Sequence, residues 1–156
     1  MDFPKRETIF LKWVISVTIC WSIILGTMWY LLVVYRYVSD IGFSLQSLVL
    51  LVGSVLFSWA IIGNRQHAIA ILAHEGGHGL ILQNPKWNDF ITNVTTFYPL
   101  TASIVEFRRF HFAHHQYTST SQDPEMVLKR QAAPNYDLPL KGRTSLPFLL
   151  MRDLLF

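Results

Sequence analysis

All six histidines of this sequence fall between His67 and His115, and five of them sit at spacings that suit a metal ion. The first group is His74-Glu75-Gly76-Gly77-His78. On an α-helix, residues four apart are offset by about 40° with Cβ atoms roughly 5–6 Å apart, so both imidazoles reach one ion. His67, seven residues before His74, falls about 20° off the same stripe and is a candidate further ligand or supporting group. The second group is His111-Phe112-Ala113-His114-His115. Measured from His111, His114 lies at about −60° and His115 at about +40°, so three imidazoles share an arc of about 100°.

Imidazole suits iron, zinc and copper. Cys20 is the only cysteine and lies inside an apolar run, which excludes an intrachain disulfide and a thiolate metal site. A single histidine is more simply a packed side chain. Two ligand-spaced groups beside apolar segments, with almost no histidine elsewhere, point instead to metal chemistry, because polar side chains near lipid are costly. The first group also fits the HExxH pattern, in which two histidines hold zinc and Glu75 would activate water. That chemistry needs a third ligand and an open position for water. Glu106 is the one acidic candidate in an apolar neighbourhood, and a peptidase has no use for the trio at His111, His114 and His115.

The elements that must position these histidines are apolar. The chain is 51% hydrophobic and 15% charged, too apolar for an ordinary water-soluble domain. Residues 13–35 carry no charge and as a helix would reach roughly 34 Å, enough for a hydrocarbon core of about 30 Å. Lys5, Arg6 and Lys12 precede this run, and aromatics mark both ends: Trp13, then Trp29, Tyr30, Tyr35 and Tyr37. It is too long for a cleaved signal peptide and lacks a small-residue cleavage site. A turn at Ser39-Asp40-Ile41-Gly42 leads to a second uncharged run, 41–63. Together they form a transmembrane helical hairpin. Three basic residues before the first span, and Arg65, Lys86, Arg108 and Arg109 after the second, put the N-terminus and the histidine region on the cytoplasmic side.

The expected fold is therefore all-α: a transmembrane helical hairpin followed by separate cytoplasmic helices that carry the histidine groups. The stretch from Phe90 to Val105 would span only about 24 Å as a helix, so an interfacial or re-entrant segment is expected there. Residues 64–125 form the histidine region. Residues 126–156 read as a turn-rich cytoplasmic loop followed, from Leu146, by the start of another apolar helix. Asp123-Pro124-Glu125 reads as a helix start capped by Asp123. Gly76 and Gly77 either let a second histidine-bearing helix come close or end the first. Arg108 and Arg109 read as interfacial anchors, and Trp59 and Trp87 as interfacial or packing aromatics. The net charge of +3 lies outside the apolar runs and shows no basic stripe, which argues against a nucleic-acid partner.

HxxxH at His74 and His78 followed by HxxHH at His111, His114 and His115 resembles the first two histidine boxes of membrane fatty acid desaturases. Ala73–Gly79 (AHEGGHG) is similar to the first box, and Phe107–Glu125 (FRRFHFAHHQYTSTSQDPE) to the second box and its following loop. The resemblance implies a di-iron centre with these five histidines among its ligands. It also implies dioxygen-dependent insertion of a double bond into an acyl chain, with electrons from a donor such as ferredoxin or cytochrome b5. Hydroxylases and ketolases of the same superfamily share both boxes. The family has a third HxxHH box, whereas no histidine follows His115 here. The expectation is a fragment or truncated product with little or no desaturase activity of its own.

Overall fold

The structure, a computed structural model, describes residues 6–118 and 120–132. The described residues are helical, with no strand among them: α1 (Arg6–Ile41), α2 (Leu45–Gly77), α3 (Pro85–Thr92), α4 (Ile104–Tyr117) and α5 (Pro124–Ala132). A π-helical turn (Asn93–Phe97) and a 3-10 turn (Tyr98–Leu100) lie between α3 and α4. The expected apolar helix from Leu146 lies outside the described residues.

Two compact units divide the chain, residues 1–108 and 109–156, with α4 running unbroken through the boundary. In the first unit, α1 and α2 pair as the expected hairpin. Gly42 at φ +82° supplies the left-handed backbone of the turn, and Ser44 caps α2 in a reciprocal hydrogen-bonded box with Ser47. Both helices are long and apolar enough to cross a membrane, and only 22% and 17% of their most apolar stretches are buried within the protein. The core helix of a water-soluble fold would be mostly buried. Leu25, Trp29, Val49, Phe57 and Trp59 instead face outward, as lipid-facing side chains do.

The helices are longer than the uncharged runs that announce them. α1 has 36 residues and α2 has 33, or about 54 Å and 50 Å. Helix propensity and tertiary packing carry α2 past Asn64 and Arg65 without a break, so the first histidine group rides on the second long apolar helix itself. A separate helix for that group, as the sequence leads one to expect, does not exist. Between α1 and the end of α2 the packing is tight: Trp13, Val17 and Ile81 form one buried cluster, and Cys20, Ile24 and Ile69 another. Trp13 Nε1 donates to the Leu72 carbonyl at 3.0 Å, and Trp21 Nε1 to the Thr95 carbonyl at 2.9 Å.

The 90–105 stretch is not one helix: the end of α3, the π-helical turn and the 3-10 turn divide it before α4. Where a loop is expected after Glu125, residues 126–132 continue α5, started by Pro124 at its first turn and by Asp123, whose Oδ1 accepts from Glu125 N at 2.9 Å.

Candidate metal centre

α2 ends one residue before His78, and the reason is local. Gly79 adopts φ +72°, its N–H bonds to the Gly76 carbonyl, and the Leu80 N–H reaches back to the Glu75 carbonyl. This left-handed closure satisfies the last carbonyls of the helix and fixes His78 as its cap. His74 and His78 thus sit on the final turn with ring centroids 4.7 Å apart, their ligand nitrogens within 4.8 Å. Glu75 faces elsewhere: it borders a groove of about 240 Å³ with Lys12, Trp13 and Ser16 of α1.

The glycines between the two histidines do both things the sequence allows. The helix ends there, and neighbours come close. A Cβ on Gly76 would run into the Thr92 side chain, and one on Gly77 into the Phe107 ring. Phe107 also packs edge-on against His74, with centroids 5.7 Å apart, and against Phe97 at 5.2 Å.

Polar contacts lock this arrangement. Asn88, fully buried, donates from Nδ2 to the Gly76 carbonyl at 2.8 Å, while its Oδ1 accepts from the Ile81 and Leu82 N–H groups. Arg108, expected at the membrane interface, is engaged within the protein. Its Nε donates to the Gly77 carbonyl at 2.8 Å, and its two terminal nitrogens grip Asp89 at 2.7 and 2.8 Å. Such a fork is the strong form of a charge-assisted pair. The Arg108 hydrogen bonds hold the Asp89 carboxyl below its ordinary value, against the opposing effect of partial burial. At the start of α4 the Glu106 N–H donates to Ser103 Oγ at 3.2 Å, Ser103 Oγ donates to Glu106 Oε2 at 2.8 Å, and Asn93 Oδ1 accepts from Ile104 N at 2.9 Å. Glu106 is thereby committed to the helix start.

In the second unit, His111 and His115 bring their Nε2 atoms 2.8 Å apart. Two nitrogens bound at right angles to a first-row ion, with bonds of about 2.0–2.1 Å, stand about 2.8–3.0 Å apart, so the pair fits a metal bite. His114 turns to a different partner, with Nδ1 2.8 Å from Asp123 Oδ1 and 3.4 Å from Glu125 Oε2. His67 is exposed on α2, two turns and about 10.5 Å before His74, and is not part of the histidine pair there.

The donor sets are all imidazole and arise on helix ends bordered by apolar segments. Residues 46–156 match the family model described as fatty acid desaturase. The chain belongs to the fatty acid desaturase family. Comparison with curated proteins and with solved structures found no match. Both histidine boxes of this desaturase-family chain, together with most of α2, lie within the matched residues.

Sequence reasoning missed three contributors. Asn88 and Asp89 carry no local signal, because their partners are distant in sequence. Asp123 is recognisable as a cap but not as the partner of His114. The start of α4 carries a sequence signal, Ser103-x-x-Glu106.

Proposed function

We propose that the two histidine boxes converge on one iron centre, and that the protein is a membrane oxidoreductase that introduces a double bond into an acyl chain. The observation that carries this reading is the packing of Phe107 on His74. Phe107, His111 and His115 follow one another at four-residue steps on a single unbroken helix, so they share a stripe. The second box offers the same all-imidazole donor chemistry as the first, which supports a common centre. His74, His78, His111, His114 and His115 are the proposed ligands.

Iron held by such a set supplies dioxygen activation and removal of two hydrogens from an unactivated chain. The reaction balances when an acyl –CH2–CH2– unit, one O2, two electrons and two protons give the alkene and two waters. The electrons require a donor such as ferredoxin or cytochrome b5. The protein's part is positional: Gly76 and Gly77 admit the neighbouring elements, while Arg108 and Asn88 fix the end of α2. By helix rise the first box stands about 15 Å beyond Asn64, so an acyl chain in the bilayer approaches it from the apolar side. Basic residues before α1 and beyond the apolar part of α2 support a cytoplasmic position for the boxes. The direction of Glu75, toward α1, supports redox chemistry over hydrolysis, which would need that carboxylate beside the metal.

Two measurements test the proposal. Metal analysis of the detergent-purified protein should find iron, and stoichiometric zinc alone would overturn it. Expression from the full coding sequence in a lipid-producing host should yield new double bonds by mass spectrometry. Hydroxylated or ketolated lipids would move the reaction to a sister activity of the superfamily.

A further inference from the structure

We propose that Asp123 is a positioning residue for His114, holding its imidazole as the tautomer that presents Nε2 to metal. This rests on the metal reading above and extends it to a carboxylate outside the boxes. Asp123 is 2% exposed, which for a carboxylate demands partners. Its Oδ1 lies 2.8 Å from His114 Nδ1 and accepts from Glu125 N at 2.9 Å. Helix capping alone explains the second contact and leaves the first without a purpose. A carboxylate facing Nδ1 accepts a hydrogen bond from an Nδ1–H, which keeps the proton on Nδ1, leaves the lone pair on Nε2 and stops the ring from turning. Glu125 also approaches His114 Nδ1, at 3.4 Å, but is engaged by Lys129 at 2.6 Å, so Asp123 is the closer and more deeply buried partner. The chain from His114 to Asp123 is short, and α5 begins at Pro124. The helix start therefore anchors the carboxylate, and the carboxylate anchors the ring.

Asp123→Asn separates the two roles, since Asn caps a helix about as well as Asp but carries no charge. The first readout needs no metal. In ¹⁵N-histidine spectra of the metal-free protein in detergent, His114 should carry its proton at Nδ1 and leave Nε2 free. In Asp123→Asn it should become a mixture of tautomers with helix content unchanged. A His114 protonated at Nε2 in the parent protein overturns the proposal, whatever the metal result. The second readout is Co²⁺ affinity in the same micelles. Asp123→Asn should weaken it about 10–100-fold, the usual effect of removing a carboxylate partner from a ligand histidine. In a His114→Ala background the same substitution should have no further effect. An equal loss in both backgrounds would mean a merely structural role. Failure of His74→Ala to weaken Co²⁺ binding would count against the shared centre and leave the tautomer result to stand on its own.

Discussion

Replacing Arg108 with Met removes the fork to Asp89 and the bond to the Gly77 carbonyl while keeping the aliphatic stem. Exposed ion pairs contribute about 0–1 kcal/mol, and breaking a fully buried one costs about 3–5 kcal/mol. The Arg108 and Asp89 side chains are 30% and 31% exposed, so the pair falls between these limits, and a loss of about 2 kcal/mol is expected. For a domain of this size that lowers the unfolding temperature by about 4–8 °C, measurable by thermal unfolding in detergent micelles. Arg108→Lys keeps the charge but not the planar fork, and should recover only part of the loss. The pH dependence has a defined sign. Because the Asp89 carboxyl is held low in the folded protein, its contribution is present above the ordinary aspartate value of about 3.9 and is lost as pH falls through the depressed one. The gap between parent and Arg108→Met should stay constant from pH 7 to about pH 5 and close below about pH 4. A gap that is absent at pH 7, or that persists unchanged in acid, would refute the assignment of Arg108 as the clamp at the end of α2.

Other substitutions probe the same architecture. Gly77→Ala should destabilise by about 1–2 kcal/mol, the overpacking against Phe107 outweighing the gain in helix propensity. Gly53→Ala, where a Cβ meets nothing within 4 Å, should leave the unfolding temperature unchanged or raised in the same assay. His67→Ala should leave metal affinity within twofold of the parent by titration, because His67 stands two turns away from the first box; a tenfold loss would make it a ligand.

The parts of the site that were legible in sequence are those written in local spacing. His74 with His78, and His111 with His115, announce themselves because a helix turns four-residue steps into one face. Asp123-Pro124 announces a helix start for the same local reason. The hairpin is legible because two long uncharged runs have no other stable fate in lipid. What the sequence hid is long-range. The fork from Arg108 joins a residue 19 positions away, and Asn88 reaches a carbonyl 12 positions back. No periodicity encodes such partners. The length of α2 was hidden too: charge marks where a bilayer ends, whereas a helix ends where backbone chemistry stops it, here at Gly79. That is why the first box belongs to the long apolar helix α2 and not to a separate one.

The proposed common iron centre is tested most directly by X-ray absorption of the protein loaded anaerobically with ferrous iron. A shared centre predicts that His74→Ala with His78→Ala, or His111→Ala with His115→Ala, each lowers the number of imidazoles around iron and weakens its binding. If removing either pair leaves both the imidazole number and the affinity unchanged, the two boxes do not serve one metal centre.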